Sequence, residues 1–229
     1  EADEMLSMGF KDDLESIIHA TSNKKQILLF SATMTPKVIG VTKKYMKKSI
    51  EIAVARVNRA ADNVQHQFYM VQAKDRYEVI KRIADMNPDI YGIVFCRTRR
   101  ETKEVSNKLM NDHYNADTIH GDLTQAERDD VMRRFRKRQL QILVATDVAA
   151  RGLDVEDLTH VINYNLPDDD EIYIHRSGRT GRAGKKGLSM VIIHGREIRK
   201  LKDIEKTSGI SFVKKEVPNG LDICKKRLY

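Results

Sequence analysis

The residues best suited to chemistry in this chain stand together at His175-Arg176-Ser177-Gly178-Arg179-Thr180-Gly181-Arg182. Three arginines alternate with two glycines and a threonine. A guanidinium presents a planar fork of donors that matches a phosphate. Glycine lets the backbone bend or approach a ligand where other residues cannot. Arg179 and Arg182 are therefore read as side chains aimed at a charged group, on a loop shaped to present them. The plain alternative is a solvated basic turn. The regular glycines and the preceding Tyr173-Ile174 argue against it.

Composition narrows the partner. The chain has 229 residues, a formal net charge of +8 and a pI near 9.4. A positive balance favours a polyanionic partner. Aromatic residues make up 6% and Trp is absent, so backbone contact is expected over extensive base stacking. Cys96 and Cys224 lack CxxC spacing and the histidines lack ligand spacing. We read neither disulfide nor complete metal site, and a reducing, cytoplasmic setting. No apolar run is long enough to span a membrane. The chain begins at Glu1 rather than Met, which is read as a fragment of a longer protein. No GxxxxGK[ST] phosphate loop occurs in it.

The elements that must position the arginines follow a strand–helix alternation. Strands are predicted at 64–71, 91–95, 116–119, 141–145, 161–164 and 188–193, with helices at 75–86, 100–110, 125–136 and 197–206. This order implies an α/β fold, a parallel sheet with helices on both faces. Three of the strands run into polar clusters: Cys96-Arg97-Thr98-Arg99-Arg100, His120-Gly121-Asp122 and Thr146-Asp147. In a parallel sheet these lie on one edge, where open α/β folds bind ligands. Their arginines, hydroxyls, glycine backbone and helix starts all suit phosphate. Ordinary capping and solvated arginines are the alternative for any one cluster.

Residues 1–56 carry an acidic start, a helix at 11–20 with Leu14, Ile17 and Ile18 facing inward, a strand at 26–30, a helix at 35–47 and a short strand at 50–54. Glu1-Ala2-Asp3-Glu4 suits either the end of a nucleotide-binding strand or an acidic helix start. An apolar strand left without neighbours invites pairing with another chain, so self-association is expected there. Residues 57–63 read as a linker, 64–215 as the main domain and 216–229 as the start of an extension.

Taken together, these stretches resemble the motifs of DEAD-box ATP-dependent RNA helicases over essentially the whole chain. His175 to Arg182 resembles HRxGRTGR, with Ser177 at the variable position. Glu1-Ala2-Asp3 resembles the end of the motif that names the family, and Ser31-Ala32-Thr33 its SAT motif. Ile93 to Thr98, His120-Gly121-Asp122 with Gln125 and Arg128, and Ala145 to Asp154 resemble further motifs in family order. Val217-Pro218-Asn219-Gly220 and the basic end resemble the bacterial cold-shock branch, in which dimerisation and RNA-binding extensions often follow.

The resemblance implies a RecA-like domain preceded by the remnant of a first one. It implies RNA-stimulated ATP hydrolysis with Mg²⁺, both ligands being held mostly by residues this sequence lacks. Arg179 and Arg182 would be arginine fingers, and Glu1 would orient or deprotonate the attacking water. Asp154 and Gly152 would hold the nucleotide. Thr98, Arg99, Gly121, Arg128 and Thr146 would lie along the RNA backbone. Asp3, Ser31, Thr33, His175 and Arg176 would couple the two domains. A non-catalytic RNA-binding or scaffold module and a DNA helicase of the same superfamily are the rival readings; the isolated fragment is expected to be inactive.

Overall fold

The apolar runs that end in polar clusters build one parallel sheet in a computed structural model of the chain. The structure describes every residue except 23, 32, 54–62, 151–154, 156, 183 and 229. It divides the chain into Glu1–Asn58 and Arg59–Tyr229.

The first unit holds α1 (Ala2–Ser7), α2 (Lys11–Ala20) and α3 (Pro36–Tyr45). In the second unit the elements run β1 (Val64–Met70), α4 (Arg76–Met86), β2 (Gly92–Phe95), α5 (Arg99–Asn111), β3 (Ala116–Ile119), α6 (Gln125–Arg136), β4 (Ile142–Ala145), α7 (Asp147–Ala150), β5 (His160–Asn163), α8 (Asp170–Ser177), β6 (Gly187–Ile193), α9 (Ile198–Ser208), β7 (Phe212–Lys215) and α10 (Gly220–Leu228). The seven strands order as β3-β4-β2-β5-β6-β1-β7, every pair parallel.

Strands β2 and β4 are continuous apolar runs because helices cover both of their faces. Val94, Val144 and Ile162 point to the layer of α4 and α5, packing with Ile80, Ile83, Val105 and Leu109. Their neighbours Ile93, Leu143 and Val161 point to the opposite layer and meet Val131, Met132 and Phe135 of α6. On that same face Val191 and Ile193 meet Tyr173 of α8 and Leu201 and Ile204 of α9. The helices begin where the sequence supplies caps. Thr98 opens α5, Thr124 and Glu127 form a reciprocal capping box on α6, and Asp169 caps α8.

Four sequence expectations need correction. Residues 26–30 form no strand, and Leu28 and Phe30 are 69% and 76% exposed. A strand needs neighbours to take its backbone groups; here the Phe30 carbonyl accepts from the Glu1 amino group and the Ala2 N–H, each at 3.0 Å. Residues 50–53 are likewise no strand, and Ile50 and Ile52 are exposed. Ile17 of α2 faces out, while Leu14 packs on the small cluster of Leu6, Val38 and Val41. The stretch 175–182 is not all loop, because His175, Arg176 and Ser177 form the last turn of α8 and Gly178 is its C-cap. The expected linker lies outside the described residues apart from Asn63.

Candidate functional site

β3, β4 and β2 are adjacent in the sheet, so their carboxyl ends bring the three polar clusters to one edge. At the end of β2, the Arg97 N–H donates to Asn165 Oδ1 and Glu101 Oε2, both at 3.0 Å. Thr98 Oγ1 accepts the Glu101 N–H at 3.2 Å, which starts α5. Arg99 pairs with Asp122, and Lys103 Nζ reaches the same carboxylate at 3.2 Å. Thr98, Arg99, Arg100, Lys103 and Asp122 line an open depression of about 540 Å³. Gly121 sits beside it, and a Cβ there would meet only Arg99 Cδ, at 3.8 Å. Its backbone is therefore open to an approaching ligand.

His120 is buried and accepts the Asp122 N–H on Nδ1 at 3.3 Å. Burial, helped by nearby Lys103, holds its pKa below the ordinary value. At the end of β4, buried Thr146 accepts the Ala149 N–H at 3.4 Å. Arg128 Nη2 donates to the Ala149 carbonyl at 3.1 Å, tying α6 to α7. Thr98, Arg99, Gly121, Arg128 and Thr146 thus all lie in or next to the loops of this edge.

Arg176 differs in kind from the arginines that follow it. It is buried and grips Asp147 with two bonds, at 2.6 and 2.7 Å. Its Nη1 donates to Asn163 Oδ1 at 2.9 Å and to the Asn165 carbonyl at 3.1 Å, and its guanidinium centre lies 5.0 Å from the Phe95 ring centroid. Arg176 therefore ties α8 to α7 and to the end of β5. Its carboxylate partner Asp147 is one that sequence reasoning misses, although it stands in the polar cluster that follows β4. Ser177, Ser189, Tyr173 and His66 form a buried chain of hydroxyls and imidazole beneath α8, with links of 2.8, 3.0 and 2.6 Å.

Past Gly178 the chain turns sharply. Thr180 is buried, its hydroxyl donates to the Leu158 carbonyl, and its backbone pairs with Leu158. Gly181 has φ +70°, and a Cβ there would stand 2.5 Å from Val64 Cγ2, so only glycine fits. Gly187 is equally confined, because a Cβ would collide with Thr180. This packing fixes the turn that carries Arg179, half-buried, and Arg182, exposed with Nε donating to the Gly178 carbonyl at 2.7 Å. His175 is half-buried on the last turn of α8. Asp154 and Gly152 lie outside the described residues.

In the first unit Asp3 Oδ2 accepts from the Thr33 N–H at 3.0 Å and the Thr33 hydroxyl at 2.6 Å. Ser31 Oγ accepts the Asp3 N–H at 3.1 Å and donates to the Thr33 carbonyl at 2.8 Å. These three expected residues form one cluster. Glu1 is exposed beside it on the chain, and Ala32 lies outside the described residues. Among the described residues no group of His, Cys, Asp and Glu is placed to hold a metal ion. No described helix is long and apolar enough to cross a membrane.

A parallel sheet covered on both faces, with phosphate-suited loops at the carboxyl ends of its strands, is an open α/β domain of the kind that takes ligands at that edge. Its likeness to solved DEAD-box structures makes it RecA-like. Residues 75–184 match the family described as "Helicase conserved C-terminal domain", and residues 1–41 match "DEAD/DEAH box helicase". The chain belongs to the DEAD-box helicase family. It is 45% identical over 208 residues to the DEAD-box ATP-dependent RNA helicase CshA of Bacillus cereus, covering 91% of this chain and 40% of that relative. To CshA of Bacillus subtilis it is 43% identical, covering 91% and 42%. Both relatives agree with the bacterial branch read from the tail. The chain thus spans about two fifths of the length of the curated relatives it matches.

Among the solved structures it resembles are two DEAD-box proteins. One is a DEAD box protein from Methanococcus jannaschii, 46% identical, with a TM-score of 0.64 over 94% of this chain and 58% of that one. The other is Dbp5 of Saccharomyces cerevisiae bound to RNA and ADP BeF3, 29% identical, with a TM-score of 0.83 over 99% and 61%.

Proposed function

We propose that this chain is the arginine-supplying, RNA-gripping part of an ATP-dependent RNA helicase located in the cytoplasm. The observation that carries the reading is the division of labour among the arginines. Arg176 is buried against Asp147, whereas a glycine-built turn holds Arg179 half-buried and Arg182 exposed, the Arg182 Nε bonding its own turn at the Gly178 carbonyl. Aimed at an ATP γ-phosphate, their guanidinium forks stabilise the charge that develops as the phosphoryl group transfers. Glu1 orients or deprotonates the attacking water, and Asp154 and Gly152 hold the nucleotide. The cluster of Asp3, Ser31 and Thr33, with His175 and Arg176, couples nucleotide state to the RNA grip.

Thr98, Arg99, Gly121, Arg128 and Thr146 take the RNA backbone. They offer backbone-type contacts, so binding is salt-sensitive and nearly independent of sequence. The family's chemistry also calls for Mg²⁺. The described residues of this chain offer no cluster that fits it.

The test is Arg182→Lys in the intact protein, which keeps the charge but loses the fork. RNA-stimulated turnover is expected to fall by ~10³ or more, the range of an arginine finger, with RNA binding in the absence of nucleotide nearly unchanged. Normal single-turnover hydrolysis by a folded Arg182→Lys protein would sink the assignment. A scaffold without catalysis would instead show no RNA-stimulated hydrolysis in the parent.

A further inference from the structure

The depression at the end of β2 contains an anion of its own. Three cations line it, Arg99, Arg100 and Lys103, together with one carboxylate, Asp122. That carboxylate takes Arg99 on one oxygen and Lys103, at 3.2 Å, on the other. Two cations converging on two oxygens of one anion is the arrangement a phosphate group would adopt. The carboxylate is not there by side-chain drift. The Asp122 N–H is anchored on Nδ1 of buried His120 at 3.3 Å, and the Leu123 N–H donates to the His120 carbonyl at 3.2 Å, so a tight turn aims Asp122 at the cations.

We propose that Asp122 is a built-in competitor for RNA phosphate, occupying Arg99 and Lys103 until the RNA backbone displaces it. The inference rests on reading this edge as the RNA site. Both ion pairs are substantially exposed, with side-chain exposures of 62% and 44% for Arg99 and Asp122 and 49% for Lys103. Such pairs are weak and readily exchanged. Lys103, with Arg99 beside it, holds the Asp122 carboxyl below its ordinary pKa, so the competitor is ionised at neutral pH. Its effect is to lower the affinity of this unit for RNA, so that a firm grip needs contacts from elsewhere as well.

The experiment measures binding of a fluorescein-labelled oligouridylate to the 229-residue chain by anisotropy across a salt series. Asp122→Asn removes the competing charge while keeping the side chain's shape. It is expected to bind ~3- to 10-fold tighter at low salt, and its log K against log salt is expected to be steeper by about one, the signature of one more cation available to phosphate. Asp122→Glu should stay near the parent, while Arg99→Ala and Lys103→Ala should bind more weakly. Should Asp122→Asn fail to give the parent's melting curve, Asp122→Ser takes its place.

If the two cation variants bind as the parent does, or no chain binds at all, the RNA reading of this edge fails and the inference falls with it. If they bind more weakly but the neutral Asp122 variant binds no tighter, the RNA reading survives and the competitor is overturned. A purely structural role for Asp122 would weaken binding or leave it alone; it would not strengthen it.

Discussion

The two units show how differently the same sequence pattern behaves with and without neighbours. Ile93-Val94-Phe95 in β2 and Ile27-Leu28-Leu29-Phe30 in the first unit are equally apolar runs. The first is flanked by β4 and β5 and wholly buried. The second pairs with no described strand, and Leu28 and Phe30 stand in solvent. The first unit's buried apolar cluster is Leu6, Val38 and Val41, with Leu14, Leu29 and Tyr45 against it. The second unit has three larger ones. Burial, rather than apolar composition, turns a run into a strand, because backbone hydrogen bonding and side-chain packing both need a partner.

Truncating one phenylalanine on each side gives the largest contrast. Phe135 is fully buried between α6 and the sheet and stacks on Tyr91 at 4.5 Å. Phe135→Ala should cost about 3–5 kcal/mol, the usual range for a large core side chain, whereas Phe30→Ala should stay within about 0.5 kcal/mol, as exposed substitutions do. Chemical denaturation of both variants reads this directly, and equal losses would break the comparison.

Next comes the buried ion pair. Asp147→Ala leaves the Arg176 guanidinium buried without its carboxylate, and stranding a buried charge costs about 3–5 kcal/mol. The bonds to Asn163 and Asn165 remain, so a loss toward about 3 kcal/mol is expected. Replacing both partners, Asp147→Ala with Arg176→Met, should recover part of the loss if the cost lies in the unpaired charge. No recovery in thermal melts of the double variant would contradict that account.

Acid should weaken the second unit through its histidines. Burial depresses His66 and His160 from 6.5 to about 4. In the unfolded chain both take up protons near pH 6.5, while the folded forms resist down to about 4. The unfolded state therefore binds more protons across that interval, and stability falls as pH drops from 6.5 toward 4. Each histidine contributes on the order of 3 kcal/mol to the fall. His160→Gln should flatten the acid limb of a stability-against-pH curve; parallel limbs in variant and parent would remove His160 from the account.

These contrasts explain how far the sequence can be read. β2, β4 and β6 are legible as short apolar runs and β1 by its partial alternation, and the three polar clusters are legible as strand ends on one edge. Strand order is not, since nothing local says that β2 sits between β4 and β5. Helix α8 reads as loop because its buried face includes Arg176 and Ser177 beside Tyr173, which breaks the apolar period. α10 escapes because Pro218 and Gly220 at its start are breakers that hide a helix start, although Asn219 Oδ1 accepts the Asp222 N–H at 3.0 Å and starts a helix. β7 is a polar edge strand whose lysines conceal it. In the site, the phosphate-binding residue types are visible, but the partners Asp147 and Asp122 depend on contacts far along the chain.

The smallest expected change in stability bears most directly on the first unit. Leu28 and Phe30, and further along the chain Ile50 and Ile52, are exposed, and exposed apolar side chains without strand partners favour association. We therefore expect the 229-residue chain to self-associate through its first unit in sedimentation velocity, increasingly with concentration. Phe30→Lys puts a charge into the exposed apolar run 26–30, the device by which natural edges block pairing. Because Phe30 is solvent-exposed, its replacement should leave stability within about 0.5 kcal/mol, while association weakens markedly. Hydrogen exchange at residues 26–30 should be fast in the monomeric variant and slower in the associated parent, since pairing with a second chain would give those amides partners. A parent that stays monomeric at high concentration removes the proposal. Undiminished association of Phe30→Lys would move the contact to another surface, and fast exchange in the associated parent would show that these residues gain no backbone partner from it.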